Sequence, residues 1–541
     1  MTPGPQPTAG GVARDAGTVA VVTALSRVVG FARWLVFAWA VGATGVGTVY
    51  QSVNTVPNIV YEIAAGGILA AVVVPLVAGR LGSAEGERAD EVASALLTRT
   101  VAVLVPLAVL VALAAPFASR ALLGDLEVDG AVALGTRLLL VFSPQVLLYG
   151  IGIVVSGVLQ AHRRFLAAAL APLLSSLVVI ATYVLWALAV PPGTRPDAVT
   201  TSELLLLGGG TTLGVAALSL PLLVVAERAG IRLRPRWRLA TGTAARARTL
   251  AGAGVVALVA QQLSVLVTLA VANRSGGDGS LVVQNYVQAL YLLPYAVLAV
   301  PVATAVFPVL AATAGEPEDQ RAGAVGTLAA SLRAVVVLAA AAVAGLVAAA
   351  APVGTVFAQI DRHGEGSDAL AAMPDALAAM APGLLGFSIA AVALRALYAR
   401  GRALVAGATM ALGWLVAAVV PVLVLDEEAG AHRTLVVLGL ATTLGMWVAG
   451  AGLLVRVRHD WGPAALAGLP RTLVLALLAL GLGLAVHRLA DGHWPEDALA
   501  ATLVGALAAV VVAGVVLLVG LWIDPTARAR VPGLRGKAVA R

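Results

Sequence analysis

The chain has 541 residues, 60% of them hydrophobic and 12% charged, with a mean hydropathy of +0.96 and a formal net charge of +7. That balance excludes a soluble globular domain and implies a polytopic membrane protein. The absence of Cys excludes disulfides and thiolate metal sites, and unbroken apolar runs in place of short alternating segments exclude a β-barrel.

The opening MTPGPQPTAGGVARDA, residues 1–16, is rich in Pro and Gly and is expected to form a disordered cytoplasmic N-terminus. It lacks the features of a removable signal peptide, so the first helix is expected to stay. Apolar segments then predict membrane helices over 17–42, 47–79, 93–115, 132–159, 165–190, 203–226, 249–272, 280–312, 325–352, 377–399, 403–425, 434–455, 465–486 and 498–523. The fold class is therefore all-α, with about fourteen transmembrane helices. Counting Arg and Lys in alternate connections gives 24 on the side of both termini and 6 on the other. The positive-inside rule places both termini in the cytoplasm.

The first predicted helix carries Arg27 and Arg33 near mid-depth. Each must reach roughly 13 Å to water, and an arginine left in lipid costs at least about 2.5 to 3.5 kcal/mol. Both are expected to face a hydrated internal cavity and contact an anionic ligand; the alternative is a buried ion pair that fixes packing. If the first two helices are antiparallel neighbours, Glu62 lies level with Arg27 and is expected to pair with it in the empty state. Pro57 is expected to break the second helix and free backbone groups for Asn54 and Asn58.

The basic segment 227–250 holds seven arginines around Trp237 and reads as an inside loop touching anionic headgroups. It separates an N-lobe (17–226) from a C-lobe (249–455), with the linker taken as 227–248. GGILAAVVVPLVA (66–78) echoes AVPVATAVFPVLA (299–311), with Pro75 and Pro308 in register. Two lobes of six crossings imply a parallel repeat with a pseudo-twofold axis and a central cavity. In the second lobe Gln261, Gln262, Asn285 and Gln288 are candidates to face Arg33, or to bond between helices. Arg137 and Arg333 fit a headgroup level, and Arg395 falls near the inner mouth of its helix. Residues 456–523 add two helices, and 524–541 form a basic cytoplasmic tail.

Catalytic chemistry is sparse. All six histidines fall in connections, none with the spacing of a metalloprotease helix, and no metal site is expected. The single lysine, Lys537, excludes a GxxxxGK[ST] phosphate loop, so transport must draw on membrane potential or an ion gradient, and no cofactor is expected. Acidic clusters at 122–130, 360–368 and 425–430 read as solvated loop ends; a metal-dependent glycosyltransferase is the less supported reading.

SRVVGFAR (26–33), then VPN (56–58), the Gly-Gly pair and VVVPLVA, closely resemble the opening signature of the MurJ/MviN lipid II flippases of the multidrug/oligosaccharidyl-lipid/polysaccharide exporter superfamily, in their actinobacterial type. YLLPYAVLAVPVATAVFPVL (291–310) and LRALYARG (394–401) resemble later family helices. The resemblance implies a bacterial cytoplasmic-membrane flippase that moves undecaprenyl-pyrophosphate-linked peptidoglycan precursor to the outer leaflet by alternating access. It implies roles in substrate binding for Arg27, Arg33 and Asn58, and a lipid-tail groove in the last two helices. Glu62, and with less weight Asn54, Gln262, Gln288 and Arg395, complete the candidate substrate site. Partners implied are the lipid-linked anionic substrate and the bilayer, with cell-wall synthesis proteins possible and no nucleic acid. The chain departs from better-known relatives at Thr48, Tyr61, Glu62 and Ala289, where they carry other charges. Another lipid-linked cargo, a drug/cation antiporter of the same fold and a non-transporting scaffold stay open.

Overall fold

The computed structural model describes residues 9–63, 70–79, 89–238, 241–313, 316, 321–362, 367–490 and 492–523. Among these, thirteen helical stretches are long and apolar enough to cross a membrane, and no strand occurs. The chain divides into two compact units, one spanning Met1–Gly124 and Val128–Val255, the other Asp125–Glu127 and Val256–Arg541.

In the first unit α1 (Ala9–Ala40) begins earlier than the apolar run predicts. Past Pro7 nothing forbids helix, and the alanines there favour it; residues 1–8 of the expected disordered N-terminus lie outside the described residues. The predicted second crossing is described as α2 (Val46–Ile63) and α3 (Ala70–Ala78), and the Gly-Gly pair of the repeat lies outside the described residues. Then come α4 (Ala89–Leu123), α5 (Ala131–Phe142), α6 (Gln145–Ala161), α7 (Phe165–Ala189), α8 (Thr201–Leu204) and α9 (Gly210–Arg228). The run expected to be one helix at 132–159 is divided at Ser143–Pro144, where the proline lacks a donor. A π turn, Leu205–Gly209, joins α8 to α9.

Pro57 does not break its helix: α2 continues through it to Ile63. One missing N–H leaves one carbonyl short, a loss that packing absorbs, and Pro57 is buried. The packing order also differs from the chain order. α1 runs along α7, while α2 packs against α4, α5 and α6. An apolar core of α3, α4, α6 and α9 side chains, including Val73, Leu96, Val154 and Leu222, fills the rest of this unit.

The basic segment after α9 is held more firmly than a headgroup-touching loop. Its backbone N–H groups at Arg232, Arg234 and Arg236 donate to Asp90 Oδ2 (3.2 Å), Ser94 Oγ (3.0 Å) and Thr98 Oγ1 (2.9 Å) on α4. Every second residue of an extended chain advances about 6.6 Å, and every fourth of a helix about 6 Å, so the two periods run in step. Arg99 closes the zipper by donating to the Trp237 carbonyl (3.0 Å), and Arg236 pairs with Glu91 (3.0 Å).

The second unit holds α10 (Thr241–Gly276), whose first residues belong to the other unit, α11 (Ser280–Pro294), α12 (Val300–Ala312), α13 (Ala322–Ala348) and α14 (Ala350–Ile360). It continues with α15 (Asp368–Ala371), α16 (Met373–Met380), α17 (Gly383–Ala399), α18 (Ala403–Val424), α19 (Gly430–Trp461), α20 (Leu469–Leu489) and α21 (Ala498–Ile523). Pro294 is followed by a π turn, Tyr295–Ala299, that keeps α11 and α12 continuous. α20 and α21 pack against α13, while one face of α21 leaves Leu499, Leu503, Leu507 and Val510 exposed. The tail at 524–541 lies outside the described residues.

Candidate functional site

The turn between α1 and α2 is built on glycine. Gly42 has φ +85°, and a Cβ on Gly47 would stand 2.0 Å from the Gly42 carbonyl oxygen, so a side chain there would force the turn apart. Thr48 Oγ1 donates to the Ala43 carbonyl across it (3.1 Å).

Just inside this turn sits a buried aromatic hub. Tyr50 Oη lies 3.0 Å from Tyr183 Oη and 2.9 Å from Thr211 Oγ1, and Thr211 donates to the Leu207 carbonyl (2.7 Å) within the π turn. A hydroxyl has one proton. Thr211 therefore accepts from Tyr50, and Tyr50 accepts from Tyr183. Phe37 packs on Tyr183 (5.2 Å between centroids) and Tyr50 (5.6 Å), with Phe142 edge-on to Tyr50 (5.6 Å).

Arg33 lies one helical turn before Phe37, on the same face. It is half-buried, and its guanidinium carbon is 5.8 Å from the centre of the Trp34 ring. Arg27 is exposed. Six residues separate the two, which sets them about 9 Å apart along α1 and about 120° apart around it. Through Phe37 the hub holds the stretch of α1 that carries Arg33, while Arg27 lies on a different face.

On α2, Asn58 Oδ1 accepts from Tyr149 Oη on α6 (3.0 Å), and Tyr61 packs its ring 4.4 Å from that of Tyr149. This bond turns the two amide N–H donors of Asn58 away from α6. Asn54 is half-buried, and its Oδ1 has no hydrogen-bond partner. Tyr61 also borders a cavity of about 190 Å³ inside this unit, lined by Gly152, Ser156, Gln160, Pro172 and Leu222. Glu62 is exposed and, among the ion pairs of the described residues, forms none with Arg27. The reason is the packing order: with α1 against α7, the second helix is not the antiparallel neighbour that the depth matching of Glu62 assumed.

In the second unit Gln262 on α10 is buried and Gln288 on α11 is half-buried. Arg395 on α17 is half-buried and donates to the Ala391 carbonyl of its own helix (2.8 Å). Sequence reasoning passed over Trp34 and Tyr149. Their signal is present in the sequence, a polar-tipped aromatic inside an apolar helix, where its N–H or O–H must find a partner. Among the described residues no group of three or more His, Asp or Glu side chains is placed to hold a metal ion.

The family model described as lipid II flippase MurJ matches residues 37–517. A probable lipid II flippase MurJ from Rhizobium tropici is 27% identical over 299 residues, covering 54% of this chain and 54% of the relative. One from Synechocystis sp. (strain ATCC 27184 / PCC 6803 / Kazusa) is 31% identical over 232 residues, covering 42% and 43%. The chain thus spans about half the length of the curated relatives it matches. Among solved structures, a lipid II flippase MurJ in an inward closed conformation superposes with a TM-score of 0.70 at 17% identity, over 93% of this chain and 98% of that one. An inward-facing multidrug resistance MATE family transporter follows at 0.61 and 16%, over 84% and 99%. These structural likenesses speak to the fold. Arg27 and Arg33 precede the matched range, so their placement rests on the α1 geometry and the SRVVGFAR motif. With a family model covering most of its length, and an all-helical membrane fold to match, the chain belongs to the MurJ lipid II flippase family.

Proposed function

We propose that this chain is a transporter that moves a lipid-linked, pyrophosphate-bearing peptidoglycan precursor, lipid II, from the inner to the outer leaflet of the bacterial cytoplasmic membrane by alternating access, with both termini in the cytoplasm. Family membership over residues 37–517 supports the cargo class. The observation that carries the mechanism is Arg33, a residue half-buried within the candidate span Val21–Ala40 with its guanidinium beside the Trp34 ring.

The chemistry asked of the protein is binding and release. Guanidinium forks match phosphate oxygens and stay charged under all conditions. Arg33, flanked by the Trp34 ring, supplies the more fixed donor; Arg27, exposed, supplies one that moves with the cargo. The Asn58 amide, oriented by Tyr149, donates to a phosphate or sugar oxygen. Glu62 carries the opposite charge on α2 and disfavours anions that cannot engage both arginines. The exposed leucines of α21 offer apolar surface to the polyprenyl chain. Energy comes from the membrane potential or an ion gradient. A drug/cation exporter, the reading that the MATE likeness invites, calls for a carboxylate-dominated site, whereas the candidate span Val21–Ala40 and α2 here hold two arginines against Glu62.

Complementation of flippase-depleted cells tests this directly. The wild type is expected to restore growth, and Arg27→Ala and Arg33→Ala to fail at equal membrane levels. Full rescue by both variants would remove the mechanism.

A further inference from the structure

Within the first unit, the cavity of about 190 Å³ that Tyr61 borders is walled by α2, α3, α6, α7 and α9. Among the described residues that line it none carries a charge, and the polar side chains are Tyr61, Ser156 and Gln160. Gln160 Nε2 donates to Ser156 Oγ (3.1 Å). That bond uses one amide proton and leaves the Ser156 O–H, the Gln160 carbonyl oxygen and the second amide proton uncommitted. On α7, Pro172 lacks the N–H that would bond the Ala168 carbonyl, and both residues lie on the wall. The rest is apolar, with Val74, Leu218 and Leu222 beside the Tyr61 ring. Ser156, Gln160 and Ala168 are half-buried and Pro172 is exposed, so the cavity communicates with the surface.

Donors and acceptors left over inside a lipid-embedded bundle are costly until something bonds them. An uncharged recess that combines an aromatic ring with an amide and a hydroxyl suits a molecule with a C–H face and an edge of hydroxyl and amide groups, which describes a hexosamine ring. A phosphate or a carboxylate finds no cation on this wall. Through the pair of Tyr61 and Tyr149 rings the cavity adjoins Asn58, whose amide is aimed at the pyrophosphate in the flippase reading, and the sugar of a lipid-linked precursor is bonded to that pyrophosphate. Gln160 falls one residue before the end of α6, at the end of the bundle where that reading has cargo enter from the inner leaflet. We propose that this cavity is a subsite for an N-acetylated sugar ring of the cargo, with Tyr61 against its C–H face and Ser156 and Gln160 bonded to its hydroxyl and acetamido groups. The subsite rests on the flippase reading and gives it a means of sugar recognition.

The test uses the full-length protein in nanodiscs, with binding read by native mass spectrometry and three probes: lipid II, the same lipid without its peptide, and undecaprenyl pyrophosphate, which has no sugar. The wild type is expected to bind the first two alike and about thirtyfold more tightly than the third. Ser156→Ala/Gln160→Leu, which removes both partners of one bond, is expected to lose that preference while holding undecaprenyl pyrophosphate within about threefold of wild type. A wild type that binds all three alike, or a double variant that keeps the preference, would overturn the sugar subsite and leave the flippase reading standing. So would a preference that disappears with the peptide, and so would an equal loss of all three probes in the double variant, which would assign Ser156 and Gln160 to the fold. A wild type that binds none of the three would overturn the flippase reading and the subsite with it.

Discussion

The two compact units hold their helices together by different chemistry. Around α1 and α2 the first unit uses a polar aromatic hub, with the Tyr183, Tyr50 and Thr211 hydroxyls bonded in sequence. In the second, α17 and α19 meet backbone to backbone: a Cβ on Gly386 would stand 2.3 Å from the Met446 carbonyl oxygen, and one on Gly450 2.8 Å from that of Gly386. Small residues let helices approach closely, which in lipid is a principal source of association. Their charges differ as well. Away from their ends, α1 and α2 carry Arg27, Arg33 and Glu62, whereas the corresponding parts of α10 and α11 offer amides such as Gln262 and Gln288, the α10 arginines Arg246, Arg248 and Arg274 falling near its two ends. Hydrogen-bonded hydroxyls set direction as well as distance, and they occur beside the helix whose charged side chain must be aimed. Glycine seams give rigidity without polarity, and suit a unit whose first helices carry amides.

The strongest test of this contrast is transport. Arg33→Ala is expected to reduce the appearance of labelled precursor in the outer leaflet by about tenfold or more, since a lost guanidinium removes a charge-assisted pair. Gln262→Ala is expected to stay within about threefold. Equal losses would mean that charge does not distinguish the units. Next comes packing. Gly386→Leu is expected to destabilise by about 2 to 4 kcal/mol through overpacking, read as a lower melting temperature and lower membrane levels. Gly481→Leu, where a Cβ meets nothing within 4 Å, should change stability by less than about 0.5 kcal/mol.

Smaller effects compare hydroxyls. Tyr50→Phe strips two bonds from the hub and is expected to cost about 1 to 2 kcal/mol in thermal unfolding. Tyr291→Phe in the second unit, whose Oη has no hydrogen-bond partner, is expected to be neutral or stabilising; a matching loss at both sites would deny the hub its role. The smallest change is Tyr149→Phe, which frees the Asn58 amide to rotate. It is expected to slow transport by about threefold while the melting temperature falls by no more than one part-buried hydrogen bond accounts for.

Much of this was legible in the amino-acid order, and the limits have physical causes. Apolar runs reveal the crossing helices because lipid demands length and continuity. Proline marks where a helix can yield without saying whether it will: Pro144 accompanies a break, while Pro57, Pro106 and Pro172 lie inside helices that run on past them. The arginines of α1 stand out by their cost. The pairing of Arg27 with Glu62 misled because depth along a helix is readable and the choice of neighbour is not: α1 selects α7, far along the chain. Likewise the Tyr149 bond to Asn58 joins residues 91 positions apart, and no local period announces it.

The zipper between the basic connection and α4 carries a mechanical consequence. Its bonds fall on every second residue of one partner and every fourth of the other, so residues 232, 234 and 236 share one face as a comb of fixed pitch. Sliding α4 by a single residue would unseat all the teeth together, and no intermediate register could recover a subset. This end of α4 and the strap therefore travel as one piece, which ties α4 to α9 through only the few residues between Arg228 and Arg232.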